Sequence, residues 1–395
     1  MVIYLDNNAT TRVDDKVLEV MLPYLKDEYA NPSSMYEFST NASKAIDEAR
    51  HSMKEFLGAN NAKEIVFTSC GSESANTAIK GAVSYNKNKK HIITTKVEHP
   101  CVLNTYKMLE KQGYKVDYIG VNSNGELELD ELKSKITPDT ALVSVMWANN
   151  ETGVIFPIKE IGEIVKSKNP ETLFFVDAVQ AAGKINIDVK NTNIDMLGVS
   201  GHKFHAPKGI GALYVNSSVV LPPLINGGHQ ERGYRAGTEN VPYIVGMGKA
   251  AELAIDNMKY ELSEVKRLRD KLEIGILKNI FNARLNTSIS NRVPNTTNIG
   301  FEYVEGELIL LHLSDIGVCA SSGSACTSGS LEPSHVLRAM GTPFTSLHGS
   351  IRFSLSRFTT EKEIDYVLDN IGKVIGEIVA ISPYQEELEH LRKSR

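Results

Sequence analysis

Apolar positions along the chain follow two periods that alternate. Ala42, Ile46, Ala49, Met53 and Phe56 keep helical spacing up to Leu57, and Gly58 follows as a stop. Ile65-Val66-Phe67 is then a short, wholly apolar run of strand type. From there the pattern predicts a strand at 91–95, a helix at 102–112 ended by Gly113, a strand at 115–119 and a short helix at 129–136. A strand at 141–146, a helix at 158–168, a strand at 173–176 and a strand at 209–215 complete the series. Strands alternating with helices predict an α/β fold, a mostly parallel sheet covered by helices on both faces. In such sheets ligands gather outside the carboxyl ends of the strands.

The period changes after Tyr243. An amphipathic pattern runs from there through Met247, Ala251, Met258, Val265 and Leu272 to Ile276, long enough to bridge two domains. Strands near 296–301 and 351–355 and helices near 334–340 and 361–379 then describe a smaller α+β unit. We expect domains at 1–260 and 261–395, in line with a prior of about one domain per ~150 residues. The charged stretch 385–395 is expected to be a frayed helix.

Composition narrows the class. Hydrophobic residues make up 42% and charged residues 23%, ordinary for a globular enzyme. A net charge of −5 argues against a general nucleic-acid binder. No stretch approaches the ~20 apolar residues of a membrane span. The four cysteines, Cys70, Cys101, Cys319 and Cys326, form no CxxC pair, so reduced thiols in the cytoplasm are expected.

Candidate chemistry falls between the elements. Ser200-Gly201-His202-Lys203 follows an apolar strand, and a lysine there can form Schiff bases with carbonyl compounds or with pyridoxal phosphate (PLP). Asp177 closes the strand Phe174-Phe175-Val176, and a PLP enzyme needs such an acid against the pyridinium nitrogen. Cys70-Gly71-Ser72 joins a strand to a helix start; alone this reads as a capped helix more readily than as a phosphate site. His99 precedes Pro100, ordinarily a surface turn, but at the same sheet end as the other candidates it could stack on a cofactor. Asn149-Asn150-Glu151 falls there too. Cys326 stands among small polar residues, Ser322-Gly323-Ser324-Ala325 before it and Thr327-Ser328-Gly329-Ser330 after, where an exposed thiol is a liability unless it reacts. Cys319, beside Val318, reads as structural.

From Tyr4-Leu5-Asp6-Asn7-Asn8-Ala9-Thr10-Thr11 to Ser350-Ile351-Arg352-Phe353-Ser354-Leu355 the chain resembles the NifS/IscS-type cysteine desulfurases, PLP-dependent enzymes of fold type I. The most specific matches are Ser200-Gly201-His202-Lys203, Arg235-Ala236-Gly237-Thr238-Glu239-Asn240 and Ser322-Gly323-Ser324-Ala325-Cys326. Phe204-His205-Ala206-Pro207 and Thr327-Ser328-Gly329-Ser330-Leu331-Glu332-Pro333-Ser334-His335 resemble the NifS branch more than its IscS relatives. The resemblance implies a seven-stranded large domain, with the N-terminal segment packing on the small one. It implies Lys203 as the Schiff-base lysine and proton shuttle, Asp177 on the pyridine nitrogen, Gln180 on the ring oxygen and His99 stacked on the ring. Gly71, Ser72, Ser200 and His202 would hold the phosphate, joined by Thr238 from the partner subunit of a homodimer. Asn150 would contact the ring oxygen or substrate, and Arg352 would clamp the carboxylate of L-cysteine. Cys326 would attack the substrate sulfur, leaving a persulfide and releasing L-alanine. The persulfide sulfur would pass to an Fe–S scaffold protein. No resident metal is implied, Cys326 being at most a transient Fe–S ligand shared with that scaffold.

Two departures are small: Ser72 stands where threonine is frequent, keeping the hydroxyl, and Cys70 where glycine is often found. Three rivals share parts of the pattern. An aminotransferase would need Lys203 and Asp177 but not Cys326. A selenocysteine lyase would use the same apparatus. A non-enzymatic assembly protein would need none of the catalytic groups that the chain retains.

Overall fold

The computed structural model describes residues 2–322 and 333–394, so Cys326 lies outside the described residues. A seven-stranded sheet organises the first part of the chain. In spatial order its strands are Ile65–Thr68, Gly211–Val215, Met196–Ser200, Leu173–Asp177, Thr140–Met146, His91–Thr95 and Lys115–Ile119. All neighbours pair in parallel except Gly211–Val215, which is antiparallel to both strands beside it. The expected start of that strand at 209 moves to 211 because Gly209 has φ +88°, a left-handed conformation that no strand residue adopts.

Side-chain alternation sorts the sheet residues into two cores. Ile65 and Phe67 point into one with Val143, Val176 and Val199, against the helices Thr40–Leu57, Ile158–Lys168 and Val241–Tyr260. Val66, between them, points the other way with Leu142, Phe175 and Leu213, against the helices Gly71–Tyr85 and Pro100–Lys111. Burial on both faces explains why these strands read as continuous apolar runs.

A third core belongs to the later residues. Strands Ser321–Ser322, Ser350–Ser354, Thr296–Phe301 and Ala283–Leu285 form an antiparallel sheet, covered by the helices Lys266–Asn279, Gly306–Asp315 and Glu361–Ile381. The first strand of the chain, Ile3–Tyr4, joins this region: it pairs in parallel with Val318–Cys319, and Ile3 and Leu5 sit in the third core. The amphipathic pattern that starts at Tyr243 is a helix from 241 to 279, interrupted by a π turn at Glu261–Val265. The described residues contain no helix long and apolar enough to cross a membrane.

Candidate active site

The carboxyl ends of the parallel strands open into a cavity of about 290 Å³, lined among others by Asn8, Gly71, His99, Asp177, Lys203 and Arg352. Lys203 arrives through the tight turn Gly201–Lys203 that follows the strand Met196–Ser200. Glycine is required at 201, since a Cβ there would come within 2.8 Å of Ile210 and 2.9 Å of Ala206. The Lys203 Nζ donates to the carbonyls of Asn8 (2.6 Å) and Ala9 (2.7 Å), so the N-terminal loop fixes the amine at the cavity wall.

Asp177 ends its strand, where the Val179 N–H donates to Oδ1 at 3.0 Å. Burial pushes its carboxyl pKa up, and the nearby His99 and Lys203 oppose that rise. Among the described residues no hydrogen bond reaches its other oxygen, an acceptor facing the cavity. His99 caps the helix Pro100–Lys111. Its Nδ1 accepts from the Cys101 N–H at 3.2 Å, which assigns the ring proton to Nε2 in the neutral imidazole. Burial lowers the His99 pKa, the charge of Asp177 countering it only in part.

At one end of the cavity stand uncharged donors. The helix Gly71–Tyr85 starts there with no side-chain cap, leaving first-turn N–H groups for a ligand. A Cβ at Gly71 would lie 2.9 Å from Val179, so only glycine keeps this approach open. Ser72, Ser200 and His202 join it in the lining. Burial, helped by Lys203, brings the His202 pKa down to about 4, and the ring, 3.1 Å from the Thr10 hydroxyl, is neutral at pH 7. Thr238 is exposed and does not line this cavity.

At the other end Arg352 donates through Nη2 to Asp6 (2.7 Å) and through Nη1 to the Asn150 carbonyl (3.0 Å). Its Nε is buried without a hydrogen-bond partner among the described residues. The Gln180 carboxamide donates to the Asn8 carbonyl at 2.9 Å.

A family model described as aminotransferase class-V matches residues 3–367. The chain belongs to the aminotransferase class-V family. Curated relatives within it include a protein named cysteine desulfurase from Nostoc sp., 58% identical over 386 residues, which cover 98% of this chain and 96% of the relative. The cysteine desulfurase NifS of Azotobacter vinelandii is 52% identical over 97% of this chain and 94% of its own length. A solved structure titled NifS-like protein superposes with a TM-score of 0.90 at 41% identity, covering 95% of this chain and all of that one.

Membership in the aminotransferase class-V family implies PLP as cofactor. The cavity fits that group: an amine, an acceptor oxygen on Asp177 suited to a pyridinium N–H, and an uncharged donor set around a helix start suited to a phosphate.

The structure brings Gly71, Ser72, His99, Asn150, Asp177, Gln180, Ser200, His202, Lys203 and Arg352 to one cavity, and leaves Thr238 outside it. Sequence reasoning missed three contributors. Asn8, read as loop, accepts from Lys203 and Gln180 through its carbonyl, and its side chain donates to the Asn150 carbonyl and Thr296. Lys184 lies behind Gln180 and bonds to it. Glu98 is wholly buried, its pKa pushed up to about 8; Oε1 accepts from Thr95 and the Met146 N–H, and Oε2 has no partner among the described residues. A polar residue beside each motif was the available signal, too common to single these out.

Proposed function

We propose that the chain is a PLP-dependent cysteine desulfurase that takes sulfur from L-cysteine, releases L-alanine and supplies Fe–S cluster assembly. The observation that carries this reading is a cavity joining Lys203, Asp177 and Arg352 in a chain 58% identical, almost end to end, to a named cysteine desulfurase. Lys203 is the residue that would hold the cofactor covalently through its aldehyde. Asp177 would sit on the pyridine nitrogen, Gln180 on the ring oxygen and His99 against the ring. Gly71, Ser72, Ser200 and His202 would receive the phosphate. Bound there, the cofactor supplies an electron sink for charge developing at the substrate α-carbon.

The remaining work belongs to side chains of this protein. Arg352, held by Asp6 in the cavity lining, receives the substrate carboxylate, with Asn150 alongside. Lys203 takes and returns the proton at the α-carbon. Cys326 takes the sulfur and carries it as a persulfide to an acceptor, which we read as an Fe–S scaffold protein acting in the cytoplasm. Borohydride reduction of the cofactor-loaded protein followed by peptide mapping should mark Lys203; a mark on another lysine would overturn the assignment.

The same reading divides the chain near the π turn, with 1–260 holding the cofactor and 261–395 carrying the Cys326 segment. Separate sheets on either side support it, although Val293, Val336, Leu337, Met340 and Leu347 pack into the core of the first part. It also makes the enzyme a C₂ homodimer in which Thr238 serves the partner's phosphate site. Supporting this, Thr238 is exposed, and Leu18, Leu22 and Leu25 leave an apolar face uncovered on the helix Asp15–Lys26. Analytical ultracentrifugation at assay concentration is expected to give twice the chain mass, and a fully active monomer would refute the shared site.

A further inference from the structure

Lys184 is a lysine where a lysine is expensive. It is 5% exposed, and burial lowers its pKa well below the usual value. The charges acting on it are Lys203 and Arg352, which oppose its own, and Glu261, which favours it. No carboxylate hydrogen-bonds to it among the described residues. Its Nζ instead donates to two amide oxygens, Asn8 Oδ1 at 3.1 Å and Gln180 Oε1.

Those two bonds decide what the cavity wall presents. A carboxamide can turn either its oxygen or its nitrogen toward a neighbour. With Gln180 Oε1 held by Lys184, a flipped amide would set N–H donors against an N–H donor. Gln180 Nε2 is therefore fixed: one hydrogen goes to the Asn8 carbonyl at 2.9 Å, and the other has no protein acceptor among the described residues. Gln180 lines the cavity, so the free N–H belongs to whatever binds there. The Asn8 side chain is held in the same way, its Oδ1 also accepting from Asn295 at 3.1 Å, and the Asn8 carbonyl is the one that receives Lys203.

We propose that Lys184 is a positioning residue whose bond to Gln180 locks that carboxamide with an N–H turned to the cofactor, so that the site accepts only an electron-rich oxygen beside it. The inference rests on the reading that the cavity binds PLP.

A double-mutant cycle on the PLP-loaded enzyme tests it, with the pH midpoint of the bound cofactor's visible band as the first readout and cysteine turnover as the second. In Lys184→Met the lost donor makes the band's proton harder to remove, so its midpoint should rise by about one unit. The kcat should fall about tenfold, with KM changing less than about threefold. In the Gln180→Ala background the Lys184→Met change should add nothing further to either quantity. Additive effects, or a Lys184→Met midpoint equal to wild type, overturn the proposal. Lys184→Gln keeps a donor without the charge and should recover at least half of the shift. It carries the test if the methionine chain does not fold, and a full shift in it, with cofactor bound, is equally fatal. Wild-type protein that binds no PLP would sink the functional reading itself, whereas normal wild-type spectra with unresponsive Lys184 variants sink only this inference.

Discussion

Lys203→Ala is expected to lower alanine formation from cysteine by roughly 10⁴-fold or more, the scale on which a residue that is both covalent anchor and proton carrier acts. The variant should still retain PLP on gel filtration, because the donors at Gly71, Ser72, Ser200 and His202 and the acid Asp177 are untouched. Fold stability should change little, since the bond from the Lys203 Nζ to the Ala9 carbonyl is solvent-exposed. A variant that turns over at even a tenth of the wild-type rate would remove Lys203 from the mechanism. Complete loss of cofactor would instead mean that the covalent bond, and not the surrounding donors, provides the affinity.

Cys326→Ser is expected to bind cofactor and cysteine with the wild-type spectral response and yet release almost no alanine, a drop on the order of 10³-fold or greater. Sulfur leaves carbon only when a nucleophile accepts it, and the thiolate is the reactive form. Cys319→Ser is the matched control. Its residue lies in the strand Val318–Cys319 that pairs with Ile3–Tyr4, so the loss should appear in melting temperature while most activity survives. Alanine release measured for both variants side by side decides the matter. Normal turnover by Cys326→Ser, or a dead Cys319→Ser, would reopen the choice of nucleophile.

What could be read from the sequence depended on how sharply each period was expressed. The strands 91–95 and 115–119 and the helix Ile158–Lys168 come out at their expected bounds, because lysines flank the first, Gly113 and Gly120 bracket the second, and Pro157 and Asn169-Pro170 bracket the helix's clean stripe. The helix Asp15–Lys26 was not anticipated: Leu18, Leu22 and Leu25 widen its apolar side beyond the buried Val17 and Met21, and Pro23 interrupts the pattern. Gly306–Asp315 was missed for a related reason, its run Ile309-Leu310-Leu311 being as apolar as a strand. At the site, residues with their own chemistry were legible: Lys203, Asp177 and His99 stand at strand or helix ends. Asn8 and Lys184 were not, because their importance lies in whom they touch. Asn8 meets Ser354 and Thr296 across most of the chain, a relation no local pattern carries.

That same reach sets the order in which the molecule can be finished. Residues 3–8 leave the ribosome more than 300 residues ahead of their partners Val318, Cys319 and Ser354. The seven-stranded sheet is complete once Val215 has been made, whereas the wall that fixes Lys203 must wait for almost the entire chain. During synthesis the N-terminal residues are thus held in reserve, and contacts of such sequence separation close slowly. Cofactor capture is therefore a late event, and a nascent chain stalled before residue 318 would carry a folded sheet with an unfinished pocket.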